Sequence, residues 1–367
     1  MKYPRPPYLA PGVPTENAKI MFSNAEVSVP KFEYPITPLE NFRRVTAREN
    51  PLWAPNSLTD FQTLSLQEMT IGRQISTDFS RIATEDYEFT DWFGVPMTYV
   101  VSAGGATNTP NTHLLEDITE WESVLKFPVL SDWDWKTKAD EFMKNEYDPA
   151  KVLHVNLNNS CIQRLIAALG GYTEGMYALA LEPEAVLGFF ERFADHLIEV
   201  VDLVCSLYPV NFMTFHDDWG TEKDTFFSPK MMEELVLPPT KRMIDHIKSK
   251  GAAFMLHSCG NITRFIPYMI EMGVDYLQIQ RRAVDIPAMK EKYGDKIGFN
   301  TGIEGIVPGV KIPNEELIRR IRETVDIYGK NGGFYANVGD RDGEVVWTTL
   351  AELYAYSREY YEAGQGK

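Results

Sequence analysis

From residue 151 onward, short apolar runs alternate with longer stretches in which apolar residues recur every three or four positions. The runs "KVLHVNLNN" (151–159), "NFMTFHDDWG" (211–220), "AAFMLHSCG" (252–260), "VDYLQIQ" (274–280), "KIGFNTGI" (296–303) and "GFYANVGD" (333–340) read as strands. The intervening segments read as amphipathic helices, among them "PEAVLGFFERFADHLIEVVDLVCSLY" (183–208), "PKMMEELVLPPTKRMIDHIKSKG" (229–251) and "PNEELIRRIRETVDIYGKNGG" (313–333), with a terminal helix in "TTLAELYAYSREYYEAG". Apolar strands separated by helices at this spacing indicate βα units around a parallel sheet, buried on both faces. No G-x-G-x-x-G follows a strand, which disfavours a dinucleotide-binding sheet. The expected fold is α/β, a (β/α)8 TIM barrel with an irregular N-terminal extension.

Ahead of residue 151 the pattern weakens. A short helix is predicted over "TPLENFRRVTAREN" (37–50), and the aromatic and acidic segment 61–150 reads as hairpins and irregular chain. The corresponding domain reading is an extension over 1–60 and a single barrel over 61–367.

Composition narrows the function classes. Hydrophobic residues make up 44% and charged residues 24% of the 367-residue chain, as in an ordinary globular protein. No apolar run reaches the length of a membrane span, and the proline-rich N-terminus does not read as a secretory signal. Three cysteines are too few for a disulfide framework and point to a cytoplasmic location. A net charge of −16 disfavours a nucleic-acid partner.

In a barrel of this kind, chemistry sits where strands end and βα loops begin. The predicted strand ends carry His216, Asp217, Asp218 and Trp219; His257 and Cys259; Gln278 and Gln280; Asn300 and Glu304; Tyr335, Asn337 and Asp340. Alternate strand residues face the same side, so His257 and Cys259 can grip one ion with ligand types that Zn2+ accepts. The bland alternative is a buried cysteine beside a hydrogen-bonded histidine. Asp217, Asp218 and Glu304 are candidate catalytic acids, as further metal ligands, partners of His257 or acceptors for substrate hydroxyls. Trp219 and Tyr335 are candidates to line an arene pocket, while Gln278, Gln280, Asn300 and Asn337 are candidate substrate-orienting groups.

The stretches "HSCGNI", "VDYLQIQ", "KIGFNTGI" and "GGFYANVGD", with "TPLENFRRV" (37–45) and "LKFPVLSDWDW" (125–135), resemble the corrinoid-dependent methyltransferase branch of the uroporphyrinogen decarboxylase-like superfamily. The resemblance implies a (β/α)8 barrel in which H-x-C supplies two zinc ligands and a cysteine on the final strand a third. Here Asp340 stands where that cysteine is expected, 81 residues after Cys259 (340 − 259). The expected metal set is therefore His257, Cys259 and Asp340. An oxygen ligand donates less charge than a thiolate and leaves the metal more electrophilic, which favours an oxygen substrate.

The function this implies is O-demethylation: transfer of a methyl group from a methoxylated aromatic compound to the Co(I) corrinoid of a separate partner protein. The partner is inferred because no D-x-H-x-x-G segment is found in the chain. The alternatives are methyl transfer from a methylated corrinoid protein to a thiol such as coenzyme M or to tetrahydrofolate, a decarboxylase activity, and a non-catalytic ligand-binding barrel. The R-Q-x-G-R segment that marks the true decarboxylases is absent.

Overall fold

A computed structural model describes residues 15–19, 26–66, 75–76, 85–102 and 105–364. Seven strands form one parallel sheet in sequence order: β1 (Phe61–Leu66), β2 (Val152–Asn158), β3 (Phe212–His216), β4 (Ala253–Ser258), β5 (Tyr276–Ile279), β6 (Gly298–Thr301) and β7 (Phe334–Ala336). A two-residue strand, Ile75–Ser76, pairs antiparallel with β1. The sheet curls until its ends meet. Asn56, just ahead of β1, bridges in parallel to Ala336 of β7. That closure is secured by Ser57 N–H to Ala336 O at 2.9 Å and by Ala336 N–H to Pro55 O at 2.8 Å. The barrel class expected from the sequence is borne out, with seven parallel strands rather than eight among the described residues.

The turn that closes the ring is organised around buried Asp60. Its carboxylate accepts from Tyr34 Oη at 2.8 Å, Trp53 Nε1 at 3.1 Å and the Asn56 amide at 3.2 Å. A buried carboxylate is costly unless its oxygens are satisfied, and these donors supply that. Residues ahead of Phe61 thus take part in closing the barrel. They also plug it. The helix α1 (Pro38–Ala47), capped by Thr37 whose hydroxyl accepts the Glu40 amide, sends Phe42 into the barrel floor. There Phe42 meets Phe61, Phe212, Tyr276 and Tyr335 with ring centroids 5.1–6.2 Å apart, the spacing of edge-to-face and offset aromatic contacts.

Alternation along each strand separates two cores. Leu153, Val155, Met213, Phe215, Phe254, Leu256, Leu277 and Phe299 point outward and pack under the helices. Phe61, Val152, Phe212, Met255, Tyr276 and Tyr335 point inward and fill the floor. Both faces are apolar there, which is why these strands read as continuous runs.

Several helices match their predicted spans closely, including Pro183–Leu207 and Asn314–Tyr328. Two others, α2 (Cys161–Leu169) and α3 (Tyr172–Leu181), occupy a stretch to which the sequence pattern assigned no element. The predicted helix 229–251 contains a π turn over Met232–Val236 before it continues as Leu237–Ser249. Pro238 and Pro239 lack the N–H groups that a regular α ladder needs at this point. The strands Tyr87–Thr90, Pro96–Val100 and Gly105–Asn108 form a three-stranded antiparallel sheet, in keeping with the hairpins expected there. Among the described residues, no helix is long and apolar enough to cross a membrane.

Candidate metal centre

Parallel pairing places one inward-facing polar side chain from each successive strand at the C-terminal mouth. His257 of β4 lies opposite His216 of β3, Gln278 of β5 opposite His257, and Asn300 of β6 opposite Gln278, whereas Tyr335 of β7, in register with Asn300, turns its ring down into the floor. The two imidazoles stack at 4.4 Å between centroids. Burial, aided by the neighbouring His257 and His154, holds His216 well below the ordinary histidine range, so it is neutral.

Beyond β3 and β4 the two loops cross in close contact. Gly260, at φ +87°, sits where an added Cβ would lie 2.1 Å from the Gly220 carbonyl oxygen, so only glycine fits. The crossing is tied by Asp217 N–H to His257 O at 3.0 Å and by Cys259 N–H to Asp218 Oδ1 at 2.7 Å. It brings Asp218, His257 and Cys259 together, with one ligand atom from each lying within 4.8 Å of the others. Cys259 Sγ is 3.6 Å from His257 Nε2, and Asp218 Oδ1 is 3.9 Å from that nitrogen. All three are half-buried. Burial, with the Asp218 carboxylate alongside, pushes the Cys259 thiol up to about 12.

The tautomer of His257 follows from a chain of forced hydrogen bonds. The Tyr335 carbonyl can only accept, so Asn300 meets it with Nδ2 at 3.2 Å. Asn300 Oδ1 then faces Gln278, which must donate through Nε2. Gln278 Oε1 is left to accept from His257 Nδ1 at 2.7 Å. Nδ1 therefore carries the proton and Nε2 presents a bare lone pair to Cys259 and Asp218, the arrangement that metal-binding histidines adopt.

This donor set fits a zinc ion. For tetrahedral zinc with ordinary Zn–N and Zn–S bonds, the nitrogen and sulfur ligands stand about 3.6 Å apart, which is the separation found here. His, Cys and carboxylate are the side chains zinc takes, and three protein ligands leave a coordination position open, as catalytic zinc requires.

The other sequence-predicted residues lie elsewhere. Asp340 does not join the pair. β7 ends at Ala336, and four residues later the Asp340 carboxylate accepts the backbone N–H groups of Gly309 at 3.1 Å and Asp342 at 2.8 Å. Asp217, adjacent to Asp218, turns away and caps the N-terminus of α2, accepting from Gln163 N–H at 2.8 Å, Ile162 N–H at 3.3 Å and Trp219 Nε1 at 2.7 Å. Burial pushes its carboxyl up to about 7 against those hydrogen bonds. Trp219 is accordingly fixed in the core, and Tyr335 belongs to the barrel floor, where its hydroxyl meets Met255 Sδ at 3.0 Å. Glu304 is held by Tyr328 Oη at 2.6 Å and Arg281 at 3.2 Å. Gln280 reaches Cys259.

Gln278, Asn300 and Asn337 do border a cavity of about 340 Å3 beside the mouth, with Arg281, Asp340 and the aliphatic Ile279, Ile303 and Ile306 among its walls. The volume suits a small molecule. Trp219 and Tyr335 are not among its walls. The sequence places His216 at a strand end but assigns it no role, although it ends the strand beside the H-x-C strand. It had no signal for Tyr172, which lies close enough to Asp218 and Cys259 for both to raise its hydroxyl above the ordinary range, after the larger effect of burial.

Residues 165–339 match the family model described as uroporphyrinogen decarboxylase (URO-D). That span holds β3 through β7 together with Asp218, His257 and Cys259, so the likeness to the uroporphyrinogen decarboxylase-like superfamily seen in the sequence is borne out across it. Among solved structures, the chain is similar to a methyltransferase from Methanosarcina mazei, with 10% identity, 70% of this chain and 73% of that chain covered, and a TM-score of 0.49. It is also similar to D-psicose 3-epimerase from Clostridium cellulolyticum H10, with 13% identity, 64% and 85% covered, and a TM-score of 0.36. A third likeness is to xylanase B from Clostridium stercorarium F9, with 11% identity, 57% and 72% covered, and a TM-score of 0.33. No curated protein sequence matches the chain.

Proposed function

We propose that the chain is a zinc-dependent methyltransferase that takes the methyl group of a small methoxylated aromatic compound and passes it to the Co(I) corrinoid of a partner protein. The observation that carries this reading is the group Asp218, His257 and Cys259 at the barrel mouth, with His257 Nε2 held bare by Gln278. His257, Cys259 and Asp218 would hold the metal, and in this reading Asp218 takes the role that the resemblance assigns to Asp340. Zinc bound there would supply Lewis acidity toward the ether oxygen of the substrate, making the aryl oxide a better leaving group as its O–CH3 bond breaks. One thiolate rather than two keeps that acidity high. Neither Cys161 nor Cys205 belongs to the group, so the oxygen-substrate reading has more support than thiol methylation.

The chain's own residues contribute position. Gln278 fixes the ring of His257, and Asp218 is held by the amide of Cys259, so each ligand is oriented before any ion arrives. The cavity bordered by Gln278 and Asn300 adjoins His257 through the same hydrogen bond and offers amide groups to substrate oxygens and isoleucines to its carbon skeleton. In barrels of this kind the active site lies at this C-terminal face.

The test is incubation of the zinc-loaded protein with Co(I) cobalamin and a panel of methoxyarenes. Appearance of the methylcobalamin spectrum, lost in Asp218→Ala, is the expected result. A protein that purifies and reconstitutes without stoichiometric zinc, or that exchanges methyl only with thiols or folates, would defeat the reading.

A further inference from the structure

The residue two positions beyond Gln278 on the same strand makes the complementary contact. Gln280 Nε2 lies 3.0 Å from Cys259 Sγ, while Gln280 Oε1 accepts the Gly260 backbone N–H at 3.1 Å. The orientation of this amide is not free to flip. A backbone N–H can only donate, so the atom facing Gly260 is oxygen and the atom facing sulfur is the NH2 group. The strands are in register, His257 opposite Gln278, so the i, i+2 pair of metal-binding side chains is matched by an i, i+2 pair of glutamines. Their roles are opposite. Gln278 accepts a hydrogen bond from the imidazole and strengthens it as a donor, whereas Gln280 donates to the sulfur and withdraws charge from it. An N···S separation of 3.0 Å falls in the range usual for oxygen acceptors even though sulfur is larger.

We propose that Gln280 is a positioning residue that fixes the Cys259 sulfur and weakens it as a donor, so that a metal held by Cys259 and His257 stays a strong Lewis acid. Without that N–H, Cys259 would neutralise more of the metal's charge, and the ether oxygen of a substrate would be polarised less. Gln280 thus serves the metal side of the site rather than the substrate.

The inference rests on the metal reading above, and cobalt(II) in place of zinc tests the two separately. Hydrogen bonding lowers the energy of the sulfur lone pair, so the sulfur-to-cobalt charge-transfer band lies at higher energy when the bond is present. The full-length protein and two variants are compared by absorption spectroscopy. Gln280→Glu keeps the acceptor for Gly260 and removes the donor to sulfur, and Gln280→Met removes both. The expected result is one bound cobalt in each, with the band displaced to longer wavelength in both variants. In Gln278→Leu, cobalt binding weakens by about 10- to 100-fold while the band keeps its wild-type position. A band that does not move in either Gln280 variant overturns the role of Gln280. Wild-type protein that binds no cobalt overturns the metal reading beneath it, a different and separable failure.

Discussion

The two ends of the barrel are built from the same strands, yet they are made of opposite materials. At the N-terminal floor, the inward positions are Phe61, Phe212, Met255, Tyr276 and Tyr335, sealed from below by Phe42. Two residues further along β4 and β5, the inward positions are His257 and Gln278. A step of one alternate residue therefore takes a strand from a dry aromatic plug to a hydrogen-bonded polar rim. The floor makes the strands rigid by packing, and the rim inherits that rigidity, so that His257, Gln278 and Asn300 stay in register without a ligand to organise them. Fold stability and ligand geometry are thus placed on separate rungs of one ladder, and substitutions on each rung should have separable effects.

The largest expected effect is at the rim. His257→Ala and Cys259→Ala should each abolish stoichiometric zinc binding, measured by metal analysis after dialysis. Both side chains are half-buried and outside the packed floor, so the metal-free variants should unfold within about 1 kcal/mol of the metal-free wild type. Zinc retained in both variants would break the comparison outright. At the floor the pattern should invert. Phe42→Ala removes the ring that touches four others and should cost about 3–5 kcal/mol in urea unfolding, while the protein that remains folded still binds one zinc.

A third test concerns a charge near the floor. Lys290 is buried and donates to the Gly332 carbonyl at 2.6 Å, and among the described residues no acidic side chain pairs with it. Burial, together with the nearby Arg48, brings its ammonium down to about 7. Between that value and the usual lysine range, the unfolded chain holds a proton that the folded chain does not. Stability should therefore rise with pH through this window, at up to about 1.4 kcal/mol per unit. Lys290→Met should be more stable than the wild type below pH 7, and its advantage should shrink by about 2 kcal/mol between pH 7 and 8.5. A difference independent of pH would show that Lys290 stays charged in the folded protein.

These contrasts also explain what the sequence could and could not reveal. The alternation of strands with helices such as 183–207 and 314–328 is a local signal, carried by periodicity that the core enforces, and it was legible. The pair His257 and Cys259 was legible too, because neighbours at i and i+2 on one strand share a face. The third member of the group was only one of several candidate acids, because the choice among Asp217, Asp218, Glu304 and Asp340 depends on how two loops cross. That crossing is set by the close approach of Gly260 to Gly220, which no spacing encodes. Asp217 and Asp218 are adjacent in sequence and point to opposite tasks, one capping α2 and one meeting Cys259. The roles of Gln278 and Gln280 were likewise out of reach, since residues that touch an ion's ligands and residues that touch a substrate look alike as amides at strand ends.

Asp340 gives the smallest effect and the sharpest discrimination. The resemblance assigns the position to a metal ligand, whereas the structure spends both carboxylate oxygens on backbone amides, Oδ2 on Gly309 and Oδ1 on Asp342. If it is a loop anchor, Asp340→Ala should cost about 1–2 kcal/mol through those two lost acceptors and leave zinc stoichiometry unchanged. Asp218→Ala should do the reverse, lowering zinc affinity while unfolding nearly as the wild type does in the absence of metal. Asp340 also borders the cavity beside Gln278 and Asn300, so its loss should raise KM for a methoxylated substrate more than it lowers kcat. Loss of zinc in Asp340→Ala with retention in Asp218→Ala would restore the assignment made from the final strand, and would mean that the loop carrying Asp340 swings toward His257 when the ion binds.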